Sequence, residues 1–264
     1  MEKKWRLILD GKCDGYHNMS VDEAILLSYS SSKIPTLRVY GWNKPFISLG
    51  YNQDVKEIFA SQNDIPFVRR ITGGAAILHD RELTYSITCS LEDLNFPRGI
   101  KESYQFLCSF LKSFYKKLGV EAKFAKDVFL TRVGSYGNFC FSTCEHFDLV
   151  VDSKKIGGNA QRRKKNIIFQ HGSIPQNVDF EAIRRTMKGV GELENKVTFL
   201  EDILKESTDF NILATILAES FEATFEVKFI KEILSDGEIE TAQHLLKNKY
   251  RNSEWNFCRN LAGV

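Results

Sequence analysis

The 264-residue chain is 43% hydrophobic and 27% charged, with a formal net charge of +2. That length can bury a full core, in one large domain or a main domain with a small appendage, and the composition is that of an ordinary globular protein. So small a charge gives no ground for nucleic-acid binding, no apolar run is long enough to span a bilayer, and the opening "MEKKWRLILDGK" lacks a secretory signal's apolar region, so a cytoplasmic, non-membrane protein is expected.

Alternation and glycine punctuation predict strands at "WRLILDG" (5–11), "TLRVYGW" (36–42), "FISLGY" (46–51), "PFVRRIT" (66–72), "AAILH" (75–79) and "LTYSITCSL" (83–91). Helical apolar spacing marks 18–31 and 99–119, the second ending at Gly119 with lysines in its last turn. "FDLVV" (147–151), "KKIGGNAQRR" (154–163) and "NIIFQHGSI" (166–174) follow as strands. Turn residues at 152–153 and 164–166 predict that these three form an antiparallel meander. From about Val197 the pattern turns helical, with an amphipathic stretch at 209–225 and a capping box at Ser235 and Glu238 opening another. The expectation is a mixed α/β (α+β) fold: a catalytic domain over 1–190 and a C-terminal helical flank over 191–264 packed on it, with 187–196 as the linker.

The six cysteines (13, 89, 108, 140, 144 and 258) show no CxxC spacing, which argues against a disulfide framework. Cys89 and Cys108 sit in apolar contexts and read as core residues. "RRITGGAAILHDRELTYS" (69–86) sets Arg69 and Arg70 ahead of Gly73-Gly74. The glycines let backbone N–H groups approach a ligand, and the arginines can hold a carboxylate, carbonyl or phosphate. The spacing matches no nucleotide-binding motif, and a tight strand connection accounts for it as well as a ligand loop does.

In "CFSTCEHFDLVVDSKKIGGNAQ" (140–161) a thiol could act as nucleophile only as its thiolate. An unperturbed cysteine, with pKa about 8.5, needs a nearby cation for that. Lys155 could supply the charge, and because strand neighbours face opposite ways, only one of Lys154 and Lys155 can do so. Three readings stand together: loop or core cysteines beside a solvated lysine edge, covalent catalysis with a lysine partner, or a metal site using His146 and His171, whose C-x3-C-x-H spacing is unusual for zinc.

Taken with "TLRVYGWNKPFISLGYNQ" (36–53), "QHGSI" (170–174) and "KNKYRNSEWNF" (247–257), these segments resemble the lipoate-protein ligase A / biotin-protein ligase superfamily, most closely its octanoyltransferases of the LipM type. The resemblance spans nearly the whole chain in the expected order. It implies that the Arg70–Ala76 loop and the strand bearing Lys155 line an acyl tunnel, that Lys155 is the active-site lysine, and that Cys140, opening a pattern like CFxxPSxYE, carries the acyl group. Arg69, Arg70, Thr72, Gly73, Gly74, Ala75, His79, Gly158, Asn159, Ala160, His171 and Gly172 are its implied substrate-binding residues, with Asp80 and His79 supporting the loop.

The implied donor is octanoyl-acyl carrier protein, and the acceptor a lipoyl domain of the glycine-cleavage H protein or an E2 subunit. Both partners are acidic, which makes "QRRKKN" (161–166) a docking patch. No cofactor or metal is implied, whereas the alternative, an ATP-dependent lipoate ligase, would use ATP and Mg2+; a carrier-binding paralogue without activity is a third reading. Ala75 replaces a usual third glycine, and Cys144 and Glu145 stand where proline and serine are common, so Cys144 is a second candidate nucleophile.

Overall fold

The structure, a computed structural model, describes residues 3–60, 63–96, 99–129 and 144–259. Strand β1 (Lys3–Cys13) leads into α1 (Gly15–Ser32), whose N-cap Asp14 accepts a hydrogen bond from the His17 amide. β2 (Thr36–Trp42) and β3 (Phe46–Leu49) are buried at every position and precede the one-turn α2 (Val55–Ile58). β4 (Phe67–Arg69), β5 (Ile77–His79) and β6 (Arg81–Ser90) follow. α3 (Ile100–Lys117) buries Leu107, Phe110, Leu111 and Phe114, and Gly119 at φ 75° turns the chain after it. β7 (Lys123–Phe124) and α4 (Ala125–Val128) come next, then β8 (Leu149–Val151), β9 (Lys154–Lys155), β10 (Gly158–Lys164) and β11 (Ile167–Asn177). The remainder holds α5 (Phe180–Thr186), α6 (Leu200–Leu204), α7 (Phe210–Phe225), β12 (Val227–Lys231), α8 (Asp236–Leu245) and π-helical turns at Leu246–Tyr250 and Glu254–Cys258.

A six-stranded mixed sheet, ordered β10-β11-β6-β2-β1-β12, organises the chain. The four strands from β10 to β2 pair antiparallel, while β1 pairs parallel with both β2 and β12. Strand alternation divides the core. Leu37, Val39, Tyr85 and Ile87 face α3 and α7 through Phe110, Leu213 and Phe221, whereas Ile8, Tyr40 and Trp42 face the Met19, Val21 and Ile25 side of α1. Two three-stranded sheets, β4-β3-β5 and β7-β8-β9, flank it. Among the described residues no helix is long and apolar enough to cross a membrane.

The mixed α/β class is as expected, and three local expectations change. "KKIGGNAQRR" is two strands in two sheets, because the chain breaks at Ile156-Gly157. A Cβ on Gly157 would lie 2.7 Å from the Ser173 carbonyl oxygen, so only glycine permits that crossing. The three late strands therefore form two hairpins and not one meander. The first turns through Asp152 and Ser153, both at positive φ, as a two-residue hairpin requires.

The tail is not only helical either. β12 extends the main sheet, and Glu238, whose capping box with Ser235 forms, also takes Arg6 of β1 (Nη1–Oε2 2.8 Å). The segment 187–196, expected as a linker, buries Met187 and Leu193.

Candidate active site

A narrow, largely apolar cavity lies between α1, the main sheet and the glycine loop. Met19, Tyr40, Trp42 and Ile77 contribute to its walls, together with Arg70, Gly74, Ala75, His79, Gly158, Asn159, Ala160, His171 and Gly172. Ten of the residues proposed from sequence thus converge on one space or the network around it: these nine line the cavity, and Thr72 stands behind them, buried and bonded to His171. Gly73 faces an outer cleft, which shares Gly74, Asn159 and Ala160 with the cavity and is further lined by Ile100, Lys101, Tyr104, His146, Phe147 and Arg163. The three shared residues border both spaces.

Close backbone approach explains the glycines. Gly74 sits at φ 87°, and a side chain there would meet Arg70 Nη2 at 3.0 Å. A side chain on Gly172 would collide with the Asn159 amide oxygen and the Tyr85 ring. Asn159 is fixed from two sides, its Oδ1 accepting from Tyr85 Oη (2.6 Å) and its carbonyl from Tyr104 Oη (3.1 Å).

Arg70 organises the loop. Its guanidinium donates to the carbonyls of Ser48 (2.9 Å), Gly73 (2.7 Å) and Ala75 (2.9 Å), and to Thr72 Oγ1 (3.1 Å). A hydroxyl–histidine–carboxylate relay runs outward on each side. On one, Ser48 Oγ meets His79 Nε2 (2.7 Å), and His79 Nδ1 meets Glu82 (2.8 Å) while stacking on Trp42 at 3.9 Å. On the other, Thr72 Oγ1 meets His171 Nε2 (2.7 Å), and His171 Nδ1 faces Asp22 at 3.7 Å.

Burial, together with the positive charge of Arg70, holds the His171 imidazole below its ordinary pKa against the opposing pull of Asp22. In the tautomer with its proton on Nδ1, toward Asp22, neutral His171 accepts a hydrogen bond from the Thr72 hydroxyl at Nε2. Burial alone would raise the Asp22 carboxyl, but Arg38 (2.7 Å), His171 and Ser86 outweigh it and hold it low.

Asp22 and Glu82 were not singled out from sequence. Asp22 collects Arg38, Tyr40 and Ser86, and Glu82 collects His79, Trp42 Nε1 (3.1 Å) and Ser173 (2.7 Å). The one available signal for Asp22 was its position with Asn18, Met19 and Ile25 on the face of α1 that packs inward. Glu82 is the carboxylate that bonds His79.

Lys155 is buried on β9, its Nζ 2.6 Å from Asp148 Oδ2, while Lys154 points the other way to the Glu194 carbonyl. The same Asp148 oxygen accepts from the Glu145 amide (2.8 Å), tying Lys155 to the 144–147 segment, whose His146 and Phe147 line the outer cleft. Cys140 lies outside the described residues. Cys89 and Cys108 are buried, and burial pushes both thiols well above the ordinary range, as fits core residues. Among the described residues no cluster of three or more His, Cys, Asp or Glu side chains is placed to hold a metal ion.

Arg69 does not reach the cavity. Its guanidinium is turned to the opposite side of β4 and donates to main-chain carbonyls of Tyr51, Gln53, Trp255 and Asn256, among others. Consecutive strand residues face opposite ways, so Arg70 at the cavity excludes Arg69 from it.

The lipoyl protein ligase A/B catalytic domain family matches residues 14–222, a span that contains the cavity residues and Lys155. The chain is 35% identical to the octanoyltransferase LipM of Anoxybacillus flavithermus, covering 98% of this chain and 100% of that protein, and 32% identical to that of Bacillus subtilis, covering 98% and 100%. Among solved structures it is similar to a lipoate-protein ligase A bound with ATP, with TM-score 0.80, 24% identity and coverage of 96% and 98%. It is also similar to the bi-partite lipoate protein ligase from Thermoplasma acidophilum, with TM-score 0.79, 22% identity and 99% of both chains covered. The structural likenesses establish the shared mixed-sheet fold, and the sequence matches carry the lineage: the chain belongs to the lipoyl protein ligase A/B catalytic domain family.

Proposed function

We propose that this chain is an octanoyltransferase of protein lipoylation, which moves an octanoyl group from acyl carrier protein through a Cys140 thioester to a lysine of a lipoyl domain, in the glycine-cleavage H protein or an E2 subunit. The observation that carries the reading is full-length similarity to LipM octanoyltransferases in a chain that also has an apolar cavity lined by Gly158, Asn159 and Ala160 of β10. The cavity holds the acyl chain. Gly158, Asn159 and Ala160, which line it, lie three to five residues beyond Lys155 in the sequence.

An acyl thioester is already activated, so no ATP is required. The Cys140 thiolate attacks the carbonyl carbon, the oxyanion is held by backbone N–H groups at Gly73 and Gly74, and the carrier thiolate leaves and takes a proton. The acceptor's amine then attacks the Cys140 thioester, forming the amide, losing a proton and releasing the thiolate. Lys155 supplies positive charge beside the thiolate and relays the protons, while Asp148 holds its ammonium in place. Lys101 and Arg163 on the rim of the outer cleft, with exposed Lys164 beside them, offer the acidic partners a docking edge. In this reading the enzyme works in the cytoplasm, where its cysteine stays reduced.

The test is incubation with octanoyl-acyl carrier protein in the absence of ATP, followed by intact-mass measurement on the wild type and on Cys140→Ser and Cys144→Ser. A hydroxylamine-labile octanoyl adduct lost only in Cys140→Ser is expected. No adduct, together with ATP-dependent lipoylation of an acceptor, would replace transfer by ligation; an adduct lost only in Cys144→Ser would move the nucleophile.

A further inference from the structure

Arg69 is an unusual anchor. It is fully buried, and the acceptors of its guanidinium are main-chain carbonyls from two separate segments. Nη1 donates to Gly50 (3.1 Å), Tyr51 (3.0 Å) and Gln53 (2.7 Å), while Nε and Nη2 donate to the C-terminal π-helical turn at Trp255 (3.2 Å) and Asn256 (2.9 Å from Nη2). The turn also completes the outer edge of β4. The Arg69 amide donates to Asn256 Oδ1 (2.8 Å), and its carbonyl accepts from Trp255 Nε1 (2.9 Å), so two side chains replace a neighbouring strand.

The next residue is Arg70, which turns the other way and gathers the carbonyls of Ser48, Gly73 and Ala75 at the cavity wall. The Gly50–Gln53 segment bridges the two sites. The Tyr51 amide donates to the Thr72 carbonyl (2.8 Å), and Gly50 packs so closely on the Gly74 carbonyl that no side chain fits between them. Two adjacent arginines thus bolt the C-terminal turn on one side of β4 and the glycine loop on the other.

We infer that the turn Glu254–Cys258 is a positioning element for the glycine loop, with Trp255 and Asn256 setting the place of Arg70–Ala75 through Arg69. The inference rests on the proposed function only in taking the cavity as the acyl chamber. Neither Trp255 nor Asn256 lines the cavity or the outer cleft, so each acts through the loop and not on the substrate.

The experiment compares the full chain with Trp255→Phe, which keeps the ring beside Tyr250 but loses the donor to Arg69, with Asn256→Ala, and with Cys258→Ser as a control on the same turn. Hydrogen exchange is read for peptides covering 70–76 and 83–89. The expected result is exchange of 70–76 faster by about tenfold in the first two variants, with 83–89 and the control unchanged. The ratio of kcat/KM for octanoyl over hexanoyl and decanoyl carrier should fall at least about threefold, a ratio that the fraction of folded enzyme cannot alter.

Unchanged exchange at 70–76, or an equal rise at 83–89, would overturn the inference, the second by showing a merely global loss of stability. A wild type that transfers no octanoyl group defeats the functional reading instead, and the exchange data still decide the role of the turn.

Discussion

Lys155 Nζ and Asp148 Oδ2 form a buried ion pair at 2.6 Å, and the same carboxylate oxygen accepts from the Glu145 amide at 2.8 Å. One carboxylate therefore fixes both the lysine and the segment leading to it. Breaking such a pair from one side leaves an uncompensated buried charge, at a cost of about 3–5 kcal/mol, whereas removing both partners costs much less. Asp148→Asn and Lys155→Met should each lower the urea midpoint strongly. The double variant, in which Asn can still accept from Glu145, should regain most of it while staying inactive, and a double variant as unstable as the sum of the singles would contradict the pairing.

The acid side of the stability curve should carry the signature of His171. Its folded pKa lies below the ordinary value of 6.5, so the unfolded chain binds the proton more readily. Stability from this group is complete above about pH 6.5 and declines as pH falls below that value toward the folded pKa. His171→Gln should flatten this decline in urea melts between about pH 6.5 and 5; His17, also held low by burial and Arg38, leaves a remainder.

Adjacent glycines should respond differently to alanine. Gly73 has open space where a Cβ would sit, and its φ is not positive, so Gly73→Ala should fold within about 1 kcal/mol of the wild type. Gly74→Ala puts a side chain at φ 87° against Arg70 and should cost about 1–3 kcal/mol and most of the acylation rate. Thermal melts and the octanoyl-transfer rate distinguish the two, and equal effects would contradict the described loop.

Charge reversal at the cleft rim tests docking apart from chemistry. Lys101→Glu combined with Arg163→Glu should raise KM for the acidic carrier about tenfold and weaken its salt dependence. Turnover of a small octanoyl thioester should be unchanged. Loss of both activities together would place these residues in the chemistry instead.

The elements that sequence predicts best carry their own punctuation. β2 and β3 are bounded by prolines and glycines, the Asp152-Ser153 turn needs two positive φ values, and Ser235 caps α8 with Glu238. What escapes prediction depends on partners remote in sequence. β12 is five residues long and mostly exposed, so only its pairing with β1 makes it a strand.

The break at Gly157 is dictated by a carbonyl sixteen positions on, at Ser173. Asp22 and Glu82 read as ordinary helix and strand carboxylates until Arg38, His171, His79 and Ser173 are seen around them. Arg69 seemed equivalent to Arg70 because a dipeptide does not show which side faces the cavity.

The pairing of β1 with β12 joins residues 224 positions apart, Arg6 meets Glu238 of α8 across 232, and Arg69 reaches Asn256 across 187. Such long-range closures form late, because the intervening chain must first exist and be gathered in. During synthesis one edge of β1 therefore has no native strand beside it until residues 227–231 emerge, and the edge of β4 waits longer still for its two side-chain partners. A nascent chain lacking the last dozen described residues would already hold Lys155 and both histidines of the cavity, yet could not lock the loop. In this account a native loop awaits the emergence of residues 254–258.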